Sequence, residues 1–139
     1  MSESTVVSSR PDADIVADIE HSITQYPPMM HDRHHVSYTV ENGHVTLRGY
    51  TRTSITRRYL VETVKSLPGV VAVNADHLYG DEVTRLDVGQ LMPHGVYSNV
   101  DYGVAILTGQ LPEDTTAETL VQAVRAVPGV RAVRSSFMN

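Results

Sequence analysis

The sequence predicts an α+β fold: two tandem α-β-β-α-β two-layer sandwich units, each a three-stranded mixed sheet with helices on one face. The first helix of the second unit is expected to be short or missing. Three observations carry this reading. Residues 36–73 laid over residues 96–133 without a gap agree at 14 of 38 positions, where ordinary residue usage gives roughly two or three. Each copy holds two apolar-alternating runs joined by a tight turn ending in glycine. Each then holds a helical stripe stopped by Pro-Gly and followed by a third extended run. Self-similarity at a fixed offset marks a repeated supersecondary unit, each copy with its own apolar face to bury. The expected organisation is a flexible polar leader over 1–10, a first domain over 11–79, and a second, degenerate domain over 80–139.

From Asp12 to Ile23 the apolar residues Ile15, Val16, Ile19 and Ile23 recur at helical spacing. Pro11 precedes them, and Asp12 and Asp14 fall in the first turn, where the helix dipole favours negative charge. Pro27-Pro28 ends this helix. Residues 35–40 and 44–50 alternate around Asn42-Gly43, a strong hairpin signal because a type I′ turn needs positive φ at both central residues. Val36, Tyr38 and Val40 are expected on one face, with Val45 and Leu47 opposite. Thr53 or Ser54 caps the next helix, whose buried stripe is read as Ile55, Tyr59, Leu60, Val64 and Leu67. Gly69 supplies the left-handed exit, and 70–78 returns as a third strand.

The second copy repeats the plan. Strands are expected over 96–100 and 104–109 around Asp101-Tyr102-Gly103. Thr115 with Glu118 forms a capping box, Leu120, Val121, Val124 and Val127 form the stripe, and 130–137 closes the unit. The offset of sixty leaves only 81–92 for the counterpart of the first helix. There Val83, Leu86 and Leu91 are expected to face the core. With so little helix, the sheet surface at Val96, Val100 and Leu107 would need cover from the first unit or from a second chain, which makes these three residues interface candidates.

Composition narrows the function. Eleven Lys and Arg against sixteen Asp and Glu give a net charge of −5, so no broad basic surface for nucleic acid is expected. There is no cysteine, which removes disulfides, zinc–thiolate sites and cysteine nucleophiles. No Gly-x-Ser-x-Gly elbow, phosphate-binding glycine loop or His-Glu-x-x-His is found, and no enzyme activity or cofactor is expected. No stretch is apolar enough to span a membrane. The first residues lack the basic start and apolar run of a secretory signal, so the expected location is cytoplasmic, or periplasmic if a leader has been trimmed.

The run Val-x-Asn-Gly-x-Val-x-Leu-x-Gly of Val40–Gly49, its weaker echo over Val100–Gly109, and the passages Leu67-Pro68-Gly69-Val70-x-x-Val73-Asn74 and Val127-Pro128-Gly129-Val130-x-x-Val133 together resemble the BON family. The resemblance covers roughly 12–79 and 94–138. It implies a non-catalytic binding module, attaching to phospholipid surfaces or membrane-associated assemblies in a stress or envelope context. It also implies, through one branch of the family, a potassium site built from backbone carbonyls.

Three candidate sites stand beside this. Arg48, Arg52, Arg57 and Arg58 lie around the exit of the first hairpin and the start of a helix, where guanidinium groups and free N–H donors would hold a phosphate headgroup. The second copy has Pro112, Ala117 and Glu118 where the first has Arg52, Arg57 and Arg58, so the site would belong to the first unit alone. The uncovered sheet of the second unit points instead to a protein partner or a homodimer. His31, His34 and His35, with Asp32, are weak candidates for a divalent metal, with Arg33 in their midst opposing a cation.

Overall fold

The computed structural model describes residues 10–139. Residues 1–9, and with them the expectation of a flexible leader, lie outside the described residues. The chain divides into two compact units. One holds the residues up to Gly49 with Ile55–Leu78, and the other holds Tyr50–Ser54 with Tyr79–Asn139. Nothing in the repeat indicated that residues 50–54 group with the second unit.

In the first unit, helix α1 (Asp12–Gln25) turns Ile15, Ile19 and Ile23 inward at intervals of one turn, and stops short of two prolines that cannot continue it. A single turn, α2 (Met29–Asp32), and a 3₁₀ turn over Arg33–His35 lead into the sheet. Strands β1 (Val36–Glu41) and β2 (His44–Thr51) pair antiparallel with Tyr38 opposite Leu47 and Val40 opposite Val45. The turn residues Asn42 and Gly43 have φ of 52° and 78°, as the Asn-Gly signal requires.

Helix α3 (Ser54–Lys65) buries Thr56, Leu60, Val61 and Val64. Ile55, read from the sequence as a core position, is exposed, because Thr56 takes the inward place in the first turn. Strand β3 (Ala72–Gly80) completes the order β1-β2-β3. The Val71 N–H donates to Gly43 O at 2.8 Å, tying the start of this third run to the hairpin turn.

The second unit follows with α4 (Asp81–Gly89), β4 (Val96–Asp101), β5 (Val104–Gly109), α5 (Ala117–Arg125) and β6 (Ala132–Phe137). Strands β4 and β5 are antiparallel, β5 and β6 parallel, and the order is β4-β5-β6. The bond from Arg131 N–H to Gly103 O, again 2.8 Å, is the exact repeat of the one from Val71. The cap of α5 is Thr116, whose Oγ1 accepts from the Thr119 N–H at 3.2 Å, one residue beyond the predicted Thr115.

Two sequence expectations about this unit need correction. Val96, Val100 and Leu107 are not bare sheet surface. They are buried in a core completed by Ala105, Val88 from α4, and Leu120 and Val124 from α5. The cover therefore comes from residues 81–139 themselves, although α4 has 9 residues against the 14 of α1. The second correction concerns which side of α4 faces in: Asp81, Thr84 and Val88 do, while Val83, Leu86 and Leu91 are exposed.

The glycine of the shared Leu-x-Gly run also has a structural cause. Gly49 and Gly109 pair with the first residues of β1 and β4, Val36 and Val96. A Cβ on Gly49 would run into the His35 carbonyl oxygen, and one on Gly109 into that of Gly95, with φ at +121° and +100°. Only glycine allows the backbone this approach.

Candidate functional site

A carboxylate latch explains the rotation of α4. Asp81 is 1% exposed, and its two carboxylate oxygens accept from the N–H groups of Tyr102 at 2.6 Å and Gly103 at 3.1 Å. Asp12 does the same in the first unit, accepting from Asn42 N–H at 2.9 Å and Gly43 N–H at 3.0 Å. Each latch satisfies two donors that the tight turn leaves without backbone partners. With Asp81 fixed inward at the start of the helix, residues three and seven further on follow it, and those are Thr84 and Val88. The same steps from Asp12 reach Ile15 and Ile19. The two first helices therefore correspond at an offset of 69, not 60, which the gap-free alignment of the remainder concealed.

That correspondence makes the first unit an internal control for the outer face of α4. Val83, Leu86 and Leu91 fall where α1 has Asp14, Ala17 and Ser22. Their exposures are 54%, 69% and 42%. Along the helix Val83 and Leu86 lie on the side opposite Thr84 and Val88, while Leu91 comes after the helix has ended at Gly89. The acidic Glu82 and Asp87 border them and are also exposed. Arg85, the one cation of α4, turns onto β4, where Nε donates to Asn99 Oδ1 at 2.9 Å and Nη2 to Val100 O at 2.8 Å. The outer face of this helix thus carries Val83 and Leu86 between acidic borders, where that of α1 carries Asp14 and Ala17.

The four candidate arginines differ in what they do. Arg57 is half-buried and bound to β3, with Nε donating to Leu78 O at 2.6 Å and Nη2 to Ala75 O at 3.0 Å. Its bonds hold the third strand to α3. Arg48, Arg52 and Arg58 are exposed. At the start of α3 the Ser54 N–H donates to Glu82 Oε1 at 2.6 Å, so a carboxylate of the protein already occupies the position assigned to a phosphate. These bonds join residues far apart in the chain, and no local pattern announced them.

His31 and His34 are exposed and His35 is half-buried, on α2 and the turn that follows, while Asp32 is buried. Among the described residues, no three His, Cys, Asp or Glu side chains gather closely enough to hold a metal ion. Among the same residues, no helix is long and apolar enough to cross a membrane.

Four titrating groups report on their surroundings. Burial pushes the Asp81 carboxyl up, against the pull of its two N–H donors. Arg10, whose Nη1 bonds Asp18 Oδ2 at 2.6 Å, holds that carboxyl below its ordinary range. Burial and a hydrogen bond with Glu20 push the Tyr38 hydroxyl up to about 12. Burial also raises that of Tyr50, opposed by Arg131, whose guanidinium carbon sits 5.7 Å from the centre of the Tyr50 ring.

Comparison with known proteins adds the family. The sequence model of the BON domain matches residues 11–78 and 89–137. No curated protein matches the chain. Among solved structures, the chain is similar to CdsD, a structural protein of the type III secretion system of Chlamydia trachomatis. That similarity has 18% identity and a TM-score of 0.38, over 89% of this chain and 91% of that one. The C-terminal domain of CdsD is similar at 18% identity and a TM-score of 0.37, over 92% and 98%. Scores at this level carry no argument about activity.

Proposed function

The chain belongs to the BON domain family, in two tandem copies, and we propose on that footing that it is a non-catalytic module whose second unit holds a protein partner. The observation that carries the proposal is the outer face of α4. Val83 and Leu86 point to solvent where the corresponding helix of the first unit presents Asp14 and Ala17. Both helices do the same structural work through Asp12 and Asp81, so the latch and the core do not require this difference. Exposed apolar side chains grouped on one face mark a contact surface more readily than the same residues scattered.

A phospholipid headgroup fits the geometry less well. Of the four arginines, Arg57 is bound to β3, and the Ser54 N–H at the helix start is taken by Glu82.

The test replaces the α4 face with the first unit's own residues. Affinity capture from an extract is compared between the wild-type chain and the double variant Val83→Asp and Leu86→Ala, alongside co-sedimentation with anionic phospholipid vesicles at low salt. A partner retained by the wild type and lost by the variant is the expected result. Vesicle binding that is unchanged in the double variant but abolished when Arg48, Arg52 and Arg58 become glutamine would return the site to a lipid headgroup.

A further inference from the structure

Resting on the reading that α4 is the contact surface, we infer that the segment it receives is a cationic amphipathic helix of another protein, with an apolar stripe flanked by lysine or arginine. The apolar strip is narrow. Two partly exposed side chains, Val83 and Leu86, amount to about 200 Å² at most, well short of the roughly 800 Å² per partner of a stable interface. The polar groups that border the strip must therefore contribute, and their charge decides who binds.

Those borders are acidic. Glu82, one of whose carboxylate oxygens accepts from the Ser54 N–H, lies on the Leu86 flank and Asp87 on the Val83 flank, as helical spacing places them. The one cation of α4, Arg85, is directed away from the strip onto β4, where it bonds Asn99 and Val100. Residues 81–139 as a whole carry 4 Lys and Arg against 7 Asp and Glu, a net charge of 4 − 7 = −3.

Two other occupants meet the same charges unfavourably. A second copy docking through the identical face would bring Glu82 and Asp87 against their own equivalents. An anionic bilayer, which attracts about 1 kcal/mol per Lys or Arg near its surface, would repel carboxylates held there. A helix that carries basic residues beside leucine-like side chains satisfies both halves of the surface, as amphipathic helices do in apolar grooves.

The experiment follows the backbone amide resonances of the full chain by NMR during titration with two synthetic amphipathic peptides. One is built of leucine and lysine, and the other has glutamate at each lysine position. The leucine–lysine peptide is expected to move the resonances of residues 82–91 and to bind about tenfold more tightly than the glutamate peptide, with the gap closing as ionic strength rises. Asp87→Lys, an exposed change that leaves the latch and core untouched, should reverse the preference. Val83→Asp with Leu86→Ala should abolish both interactions.

Equal or tighter binding of the glutamate peptide at residues 82–91 would overturn the cationic partner while leaving the contact surface standing. Shifts confined to other residues, or binding unaffected by the double variant, would overturn the contact surface as well. Movement of residues 82–91 by anionic phospholipid vesicles, in place of the lysine peptide, would overturn the choice of a protein partner.

Discussion

Replacing Asp81 by alanine tests the latch. The substitution strips acceptors from two N–H groups, one buried at Gly103 and one partly buried at Tyr102. An orphaned buried donor costs about 1–3 kcal/mol. The gross loss is therefore about 2–6 kcal/mol, reduced because the variant no longer keeps a charge in a site that disfavours it. A net loss of about 2–4 kcal/mol is expected, enough to move the midpoint of a unit this size by about 10 °C or more. The matched change Asp12→Ala should cost less, about 1–2 kcal/mol, since of the two N–H groups it frees that of Asn42 is exposed and can turn to water, while that of Gly43 is only partly buried. Thermal and urea unfolding followed by circular dichroism give the two energies. Amide hydrogen exchange at Tyr102 and Gly103 reports the latch directly, with protection lost in the Asp81 variant. An Asp81→Ala protein within about 0.5 kcal/mol of wild type, or an Asp12→Ala protein hurt as badly, would refute the argument that burial sets the difference.

Two further outcomes are expected of the glycines and the titrating aspartates. Gly109→Ala should destabilise the second unit by about 2 kcal/mol or more, because the new Cβ meets the Gly95 carbonyl at a positive φ, and Gly49→Ala should do the same to the first unit; denaturant midpoints measure both. The pH dependence of stability should carry opposite contributions from two aspartates. The folded-state value of Asp81 is raised, so its contribution is fully present below the ordinary carboxylate value of 3.8 and is lost as pH rises through the raised one. That of Asp18 is lowered, so its contribution is present above 3.8 and is lost as pH falls through the depressed one. Acidification down towards the ordinary carboxylate value of 3.8 should therefore favour wild type over Asp81→Asn, and further acidification through the depressed value of Asp18 should erase the difference between wild type and Arg10→Ala. Unfolding curves at several pH values check both directions.

Local chemistry was enough to reveal most of the fold. Asn42-Gly43 announced its hairpin, Ile15, Ile19 and Ile23 announced α1, and the identity of the two copies carried the plan across to the second hairpin even though Tyr102 stands where an asparagine was expected. What stayed hidden depends on contacts between distant residues. Hydropathy placed Val83 and Leu86 inward because they are the apolar residues of their segment, but the Asp81 carboxylate, held by a turn 21 residues away, sets the rotation and sends them out. The aspartates of α1 and α4 were read only as favourable partners of a helix dipole, and their second task at the hairpins has no sequence signature of its own. Arg57 was grouped with three neighbours by charge alone. Its bonds to Ala75 and Leu78 set it apart, and only the return of β3 to the helix creates them. From the sequence Val96, Val100 and Leu107 read as surface because the helix above them is short. In the structure even 9 residues suffice, since Val88 is correctly placed and α5 covers the remainder.

The latch also defines where this module tolerates a change of length. Asp12 precedes its hairpin turn by 30 residues and Asp81 precedes its own by 21, yet both grip the same two amides. The nine-residue difference is absorbed between the inner face of the helix and the first strand, where one copy inserts α2 and a 3₁₀ turn and the other passes through Pro93 and Gly95. Insertions grafted at this point should leave the sandwich intact, and so the segment is a natural place to append a new loop. A deletion that reached back to the aspartate would instead release the hairpin from its helix.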